Sequence, residues 1–262
     1  MRVFITGASS GIGEALAREY ANGSAQLGLL ARRGEELARV AGELRQRGAS
    51  VLVYAADVTD TSGMQSAIHD FVTRTGGVDR VIANAGIGIR DSLRDGDAES
   101  VARLMSVNVV GTTNTIVPFL PTMLRQGSGT LAAVSSVAGH RGLPGRAAYS
   151  ASKAAVITFM DALRMQLANT GVHAMTLCPG FVRTPLTASL SHKLPFLLEV
   201  DDAARLMLRA IEQRKNTYTL PWQMSLLKHV MVNAPEWLIR RVSPPARTEG
   251  AVAKGENSER SS

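Results

Sequence analysis

Short apolar runs alternate with longer amphipathic stretches from the first residues of the chain onward. The apolar runs are rich in large aliphatic residues and are bounded by glycine and polar residues, which predicts buried strands. The stretches between them place apolar residues at helical spacing, which predicts helices. The predicted strands are Arg2 to Thr6, Gln26 to Ala31, Ser50 to Ala55, Val78 to Ala83, Thr130 to Val134, Val172 to Leu177 and Thr217 to Leu220.

The predicted helices occupy the intervals between these strands. They are Gly11 to about Ala21, Gly34 to Arg47, Thr61 to Thr75, Asp97 to about Leu124 with a break near Pro118, a helix beginning at Ala147, and Asp201 to Arg214. Regular alternation of strands and helices indicates βαβ units with right-handed crossovers. We therefore expect an α/β fold, a Rossmann-type doubly wound parallel sheet flanked by helices, as one domain over residues 1–220.

The residues after Leu220 predict a helical C-terminal extension, residues 221–242, with two short amphipathic pieces and both tryptophans. A flap over a substrate pocket, an oligomer contact and a membrane-surface helix are the three alternatives. Lys228, His229 and Glu236 exclude a clean membrane span, and we favour the flap or the oligomer contact over membrane attachment. Residues 243–262 are polar and rich in Pro, Gly, Glu and Ser, so we expect a disordered tail.

Composition narrows the class of protein further. The 262 residues are 45% apolar and 19% charged, which is ordinary for a globular protein. The net charge of +7 comes mostly from scattered arginines, densest at Arg32-Arg33 and Arg240-Arg241, so no nucleic-acid partner is expected. Cys178 is the single cysteine, which fits a reducing compartment. With an apolar strand from Val3 and no apolar run long enough to span a membrane, we expect a cytoplasmic protein.

A glycine-rich turn follows the first predicted strand. Its residues are Gly7, Ser9, Ser10, Gly11, Ile12 and Gly13, with Ala8 between the first two. Such a turn directs backbone N–H groups and a helix N-terminus at a phosphate, and glycine permits both the tight turn and the close approach of a ligand. A tight structural turn is the alternative, but its position between strand and helix favours dinucleotide binding.

The end of the second strand indicates which dinucleotide binds. An acidic residue there would bind the ribose 2′-hydroxyl of NAD, but this chain has Ala31, Arg32 and Arg33. A guanidinium can bind a 2′-phosphate and stack on adenine. The alternative is that both arginines only begin the next helix. We expect NADP(H), with Arg32 as the primary contact and Arg33 beside it.

Polar and small residues follow three other predicted elements. Asp57-Val58 comes after the third strand, where the carboxylate would accept from the adenine amino group or serve as a turn residue. Asn84, Ala85 and Gly86 end the fourth strand, where small residues let the adenosine half approach the backbone. Asn108 lies within an apolar helical stretch, which calls for a hydrogen-bonding role or a cap at a kink.

Tyr149 and Lys153 are the candidates for proton transfer. Four residues apart on a predicted helix, they lie on one face, a turn apart. A nearby ammonium favours the phenolate and brings its pKa toward the working range of a general acid or base. Ser136 ends an apolar strand, where its hydroxyl would hold a substrate oxygen beside the phenol. A surface pair is the alternative for this spacing taken alone.

Taken together, these motifs resemble the short-chain dehydrogenase/reductase family. The matches are Thr6 to Gly13, Asp57, Asn84 to Gly86, Asn108, Ser136, Tyr149 with Lys153, and Pro179-Gly180 with Thr184. They occur in the family's order, with thirteen residues from Ser136 to Tyr149, and the resemblance covers about residues 1–220.

The resemblance implies roles for these residues. Tyr149 is the catalytic acid or base, Lys153 lowers its pKa and binds the nicotinamide ribose, and Ser136 rather than Ser135 polarises the substrate oxygen. Asn108 holds a water that links Lys153 to a proton relay. The remaining implied cofactor contacts are Pro179, Gly180, Val182 and Thr184, near the nicotinamide ring, its carboxamide or the diphosphate. No metal is expected.

The resemblance also implies a carbonyl or alcohol substrate, and a substrate lid lies after Thr184 in this family. Apolar residues of the segment Pro185 to Val200 would shape an apolar pocket, or else would pack as an ordinary helix; they are Leu186, Leu190, Leu194, Phe196, Leu197 and Leu198. His140 would touch substrate or lie in solvent. The rival functions are a non-catalytic NADP(H)-sensing protein and a membrane-peripheral scaffold, and we expect a homodimer or homotetramer.

Overall fold

Seven strands form one parallel sheet in a computed structural model that describes residues 1–21, 24–88, 93–188 and 194–242. The strands are β1 (Arg2–Thr6), β2 (Gln26–Ala31), β3 (Ser50–Ala55), β4 (Arg80–Ala83), β5 (Gly129–Val134), β6 (Val172–Pro179) and β7 (Thr217–Leu220). Their order is β3-β2-β1-β4-β5-β6-β7, and every neighbouring pair is parallel. The predicted fold is confirmed; β4 begins two residues later, β5 begins one residue earlier and β6 ends two residues later than the sequence indicates.

Ten α-helices are described along the same ranges. They are α1 (Gly11–Tyr20), α2 (Gly34–Gln46), α3 (Thr61–Thr75), α4 (Ala98–Met105), α5 (Gly111–Ile116), α6 (Leu120–Gln126), α7 (Ala147–Gln166), α8 (Val200–Glu212), α9 (Trp222–Asn233) and α10 (Glu236–Val242). None of these described helices is long and apolar enough to cross a membrane. The disorder predicted for residues 243–262 concerns residues outside the described part of the chain.

The long helix predicted from Asp97 to Leu124 is divided into several pieces. A π-helical turn, Ser106–Val110, joins α4 to α5, and a 3₁₀ turn, Val117–Phe119, joins α5 to α6. Pro118 accounts for the second break, because proline removes a backbone donor and the break was predicted. The π turn contains Asn108, and such turns often mark functional sites.

Helices cover both faces of the sheet. α1, α2 and α8 bury one face, and α3, α5, α6 and α7 bury the other, with α4 packed against α7. On the second face the rings of Phe4, Phe71 and Phe119 contact one another, with centroids 5.1 to 6.4 Å apart. Gly28 on β2 makes room for them, since a Cβ there would lie 2.6 Å from the rings of Phe4 and Phe71.

The strand order reverses direction between β1 and β4. From β1 the chain winds outward through β2 and β3, and it then returns to β4 on the other side of β1. In doubly wound sheets, the crevice at this point, beyond the carboxyl ends of the strands, is where ligands bind. The predicted site residues follow these strand ends.

Candidate active site

A cleft of about 280 Å³ lies at the carboxyl ends of the strands. The structure brings nearly all predicted site residues to its walls. They are Gly7, Ser9, Ser10, Gly11, Ile12, Arg32, Arg33, Asp57, Val58, Asn84, Ala85, Gly86, Ser136, Tyr149, Lys153, Pro179, Gly180, Val182 and Thr184. Gly13 and Asn108 lie behind the walls.

The glycine-rich turn is held tightly against the end of β4. Gly7 has a left-handed φ of 68°, and a Cβ there would lie 2.8 Å from the Cα of Ala85. A Cβ on Gly13 would lie 2.3 Å from the carbonyl oxygen of Gly7. The tight turn that the sequence indicates therefore requires glycine at residue 13, and the approach of a ligand to these glycines stays a prediction.

The N-terminus of α1 faces the cleft without a side-chain cap. Ser10, its N-cap residue, is extended (φ −168°) and makes no capping hydrogen bond. By contrast, Asp60 caps α3 and Asp97 caps α4. The first N–H groups of a helix have no intrahelical acceptor, and the helix dipole favours an anion there. This helix end therefore fits the diphosphate of a dinucleotide.

The two arginines after β2 point in different directions. Arg33 Nη2 donates hydrogen bonds to the hydroxyls of Ser9 and Ser10, at 3.1 and 2.7 Å. Arg32 Nη1 lies 3.7 Å from a carboxylate oxygen of Asp57, and just over half of its side chain is exposed. Arg33 thus reaches across the glycine-rich turn, while the charge of Arg32 is partly neutralised by Asp57.

Asp57 also stabilises the turn that follows β3. Its Oδ1 accepts hydrogen bonds from the backbone N–H and the hydroxyl of Thr59, both at 2.9 Å. The carbonyl of the next residue, Val58, accepts from Asn114 Nδ2 at 2.9 Å. Asp57 therefore acts as a turn residue, the alternative kept open by the sequence, while its other oxygen faces Arg32.

The end of β4 is tied to the end of β1 through Asn84. Its Nδ2 donates to the carbonyl oxygens of Thr6 and Gly7, at 3.1 and 3.2 Å. The hydroxyl of Thr6 in turn accepts from the backbone N–H groups of Asn84 and Ala85. Thr6 is included in the sequence motif but is assigned no role there. Its position at the end of a strand was the one feature of the sequence that could have indicated this hydrogen-bonding role.

Asn108 is fully buried, and its side-chain amide is occupied by protein groups. Its Oδ1 accepts from the N–H of Ile87 at 2.8 Å, and its Nδ2 donates to the carbonyl of Ile87 and the hydroxyl of Ser152, both at 3.0 Å. The amide thus joins the segment after β4 to α7 at the π-helical kink. The backbone carbonyl of Asn108 accepts from the Thr112 hydroxyl at 2.7 Å, and the water that the resemblance assigns to Asn108 stays a prediction.

The two adjacent serines after β5 have different surroundings. Ser135 is buried, and its hydroxyl donates to the carbonyl of Lys153 at 2.8 Å. The Ser136 hydroxyl accepts from the N–H of Ala138 at 3.2 Å and hydrogen-bonds the phenol of Tyr149. Ser136 is therefore the serine whose hydroxyl lies next to the phenol.

Tyr149 and Lys153 lie on α7 as predicted, with Lys153 Nζ 5.9 Å from the centre of the phenol ring. Burial raises the pKa of Tyr149, which outweighs the lowering by the Ser136 hydrogen bond and the charge of Arg146. The net direction is opposite to the sequence expectation. Burial also lowers the pKa of Lys153 to about 8, because a low-dielectric interior disfavours the charged form of each group. Lys153 Nζ donates to the carbonyl of Val134 at 3.0 Å.

The segment after β6 closes over one end of the cleft. Thr184 packs against Gly11, whose Cβ would lie 3.3 Å from the threonine methyl. A Cβ on Gly88 would contact both Leu186, at 3.4 Å, and the Tyr149 ring, at 3.6 Å. Leu186 and the Tyr149 ring thus both lie next to Gly88. Leu190 lies outside the described residues.

Several residues of the cleft wall were not identified from the sequence. Ile87 and Val107 line the cleft, but an isolated apolar residue in a loop or helix has no chemical signature. Pro185 and Thr187 also line it, beside Leu186. His140 is half-buried next to the extension and is absent from the described cleft wall.

A doubly wound sheet, an uncapped helix N-terminus at a glycine-rich turn and a buried Tyr-Lys pair define a dinucleotide-binding oxidoreductase. The sequence model of the family described as "short chain dehydrogenase" matches residues 1–195 of the chain. The chain belongs to this family, whose members use nicotinamide cofactors.

Similar proteins agree with this assignment. An uncharacterized oxidoreductase of Myxococcus xanthus is 38% identical over 222 residues, covering 85% of this chain and 88% of the relative. A short chain dehydrogenase/reductase from Burkholderia phymatum in complex with NAD has a TM-score of 0.80 and 26% identity, covering 95% and 98% of the two chains. An alcohol dehydrogenase from Thermococcus sibiricus complexed with 5-hydroxy-NADP has a TM-score of 0.76 and 30% identity, covering 84% and 95%.

Proposed function

We propose that this protein is an NADP(H)-dependent oxidoreductase that interconverts a carbonyl compound and its alcohol. The observation that carries the cofactor choice is Arg33, whose guanidinium lies on the hydroxyls of Ser9 and Ser10. Related structures hold either NAD or an NADP derivative, so the choice rests on this chain's own residues.

Arg33, rather than Arg32, is the primary contact for the 2′-phosphate in this proposal. The Arg33 guanidinium has only donors, and the Ser9 and Ser10 hydroxyls that accept from it can still donate their own O–H groups to a phosphate dianion. Arg32 faces the Asp57 carboxylate at 3.7 Å, which offsets part of its charge. The uncapped end of α1 would hold the diphosphate, and the carboxyl end of β6, at Pro179 and Gly180, would hold the nicotinamide half.

The bound nicotinamide supplies or accepts the hydride. The protein's own task is to hold and move one proton at the substrate oxygen. The phenol of Tyr149 donates that proton during reduction, and its raised pKa keeps it protonated at neutral pH. Ser136 orients the same oxygen through its hydroxyl, beside the phenol. Lys153, still charged at neutral pH with a pKa of about 8, stabilises the phenolate that remains.

Apolar residues surround the substrate end of the cleft. Leu186 and the Tyr149 ring both lie next to Gly88, and Ile87 and Val107 also line the cleft. An apolar substrate with one carbonyl or hydroxyl group fits such a wall, because the polar groups converge at a single position.

We also propose that the chain forms a homodimer through the α4 to α6 face. Val110, Val117 and Leu124 recur at seven-residue intervals along it, and each is more than 40% exposed. Such a stripe suits a helical interface. Sedimentation velocity tests this: wild type should sediment as a dimer or larger, and Val117→Glu should shift it toward the monomer. A monomeric wild type would reject the proposal.

Titration of wild-type protein with NADPH and NADH, followed by cofactor fluorescence, tests the proposed function. We expect NADPH to bind at least tenfold more tightly than NADH. A preference for NADH would overturn the assignment of Arg33 and leave a dehydrogenase, whereas binding of neither would reject the enzyme.

A further inference from the structure

Arg141 connects the loop that follows Ser136 to the C-terminal extension. Its Nη1 donates to the carbonyl oxygen of Val232 and its Nη2 to that of Ala234, both at 3.2 Å. These carbonyls lie at the C-terminal end of α9, where a helix leaves acceptors without intrahelical partners. A cation is favoured there by the helix dipole as well. The guanidinium therefore links two segments 91 residues apart in the chain.

The other end of α9 contacts the floor of the cleft. Met224 is buried in its first turn and fills the space beside Gly180, where a Cβ would lie 2.7 Å from the methionine Cγ. Gly180 lines the cleft, and its N–H donates to the carbonyl of Leu220 at 2.8 Å. The helix is thus fixed at both ends to segments that form the site.

The middle of α9 also lies along the same loop. Burial lowers the pKa of His140, the residue before Arg141, and the charges of Lys228 and His229 lower it further. Both of these residues are on α9. Lys228 and His229 therefore lie near enough to His140 for their charges to act on it.

The loop between Ser136 and Tyr149 has little order of its own beyond its first turn. It contains three glycines, one of them Gly145 in a left-handed conformation (φ 66°). After His140, the backbone hydrogen bond within it that the structure describes runs from the N–H of Arg146 to the carbonyl of Leu143, at 3.1 Å. Glycine-rich segments lose much conformational entropy when they become ordered. The two hydrogen bonds from Arg141, at the centre of the loop, to the end of α9 offset part of this entropy loss.

We propose that Arg141 is a positioning residue and that residues 221–234, which comprise α9 and its two flanking residues, are a structural part of the active site, holding the loop that joins Ser136 to Tyr149. The inference rests on the proposed function for the roles of these two side chains. Because small displacements of a group that orients substrate reduce rates strongly, a loosened loop lowers turnover. The glycine-rich turn, which lies on other elements, keeps its cofactor affinity.

Full-length Arg141→Met is compared with Arg74→Met, which removes an exposed arginine of α3 that pairs with Asp70 at 3.7 Å. The probe is reduction of 4-nitrobenzaldehyde by NADPH. We expect Arg141→Met to lower kcat/KM at least tenfold, while the Kd for NADPH stays within twofold, and Arg141→Lys to restore part of the loss. Equal kcat/KM for Arg141→Met and Arg74→Met would overturn the inference.

Hydrogen exchange separates this inference from the proposed function. In Arg141→Met, the amides of residues 137–146 should exchange faster, and those of the glycine-rich turn should be unchanged. This result would support the role of the Arg141 hydrogen bonds in holding the loop, even if wild type reduces no aldehyde. Absence of aldehyde reduction by wild type would count against the proposed function alone. Unchanged exchange of the amides of residues 137–146 would reject the inference about Arg141. If Arg141→Met does not fold, Arg141→Gln is measured by hydrogen exchange instead, because the glutamine side chain is too short to reach both carbonyls.

Discussion

The hydroxyl of Ser135 donates to the main-chain carbonyl of Lys153, and the ammonium of Lys153 donates to the carbonyl of Val134, the residue before Ser135. These two buried hydrogen bonds fasten the end of β5 to α7. They orient the lysine that lies beneath Tyr149, and they assign Ser135 to the framework of the site.

Ser135→Ala and Ser136→Ala should therefore have different effects. The first removes a buried hydrogen bond, which costs about 1 kcal/mol of stability, so its Tm should fall by a few degrees. The second removes the hydroxyl beside the phenol, so kcat should fall by about a hundredfold or more with little change in Tm. Thermal melts and steady-state kinetics of the two variants measure this, and loss of kcat in Ser135→Ala alone would reverse the assignment.

Tyr149→Phe should abolish turnover and leave NADPH affinity nearly intact. Only the phenol oxygen is lost, and with it general acid catalysis worth about 10² to 10⁴ in rate. Tyr218→Phe is the matched control, because that tyrosine lies on β7 beneath Lys215. Wild-type kcat in Tyr149→Phe would show that another group transfers the proton.

Arg33→Ala should weaken NADPH binding at least tenfold and change NADH binding less than twofold. Arg32→Ala should have a smaller effect on NADPH, because Asp57 already lies 3.7 Å from that guanidinium. Fluorescence titrations of both variants with both cofactors give the four affinities needed. A larger loss of NADPH affinity in Arg32→Ala would restore Arg32 as the primary contact, as the sequence indicated.

Much of this site could be predicted from the sequence because its motifs depend on local rules. The spacing of apolar residues along the sequence predicts the strands. Because the carboxyl ends of parallel strands lie at one edge of the sheet, the residues that follow them are expected to come together there. The directions of Arg32 and Arg33 could not be predicted, since adjacent residues in a turn differ only in their tertiary surroundings. The raised pKa of Tyr149 was missed because burial is not visible in a four-residue spacing. The contact of Arg141 with α9 spans 91 residues and leaves no local pattern.

Gly13→Ala should destabilise the protein strongly, and Gly42→Ala should stabilise it. A Cβ at residue 13 would lie 2.3 Å from the carbonyl oxygen of Gly7, whereas one at residue 42, inside α2, meets no atom within 4 Å. Replacing a helical glycine by alanine where the added Cβ meets open space gains about 0.5–1 kcal/mol. Urea unfolding of the two variants measures both signs, and a neutral Gly13→Ala would mean that the turn can relax away from residue 13.

The buried Lys153 predicts a pH-dependent stability of the cofactor-free protein. Its pKa falls from 10.5 to about 8 on folding, so between these values the unfolded chain binds more protons than the folded one. Stability from this group therefore rises as pH increases through this window. Below pH 8 the full cost of burying the ammonium is present.

Lys153→Met removes the charge and keeps the aliphatic chain, so its Tm should lack this rise. We expect the Tm of wild type minus the Tm of Lys153→Met to increase by several degrees between pH 7.5 and pH 9.5. The comparison stays below pH 10, where the raised pKa of Tyr149 begins to destabilise the folded state as pH rises. A Tm difference that does not change with pH would mean that Lys153 titrates at its ordinary pKa, in contact with water.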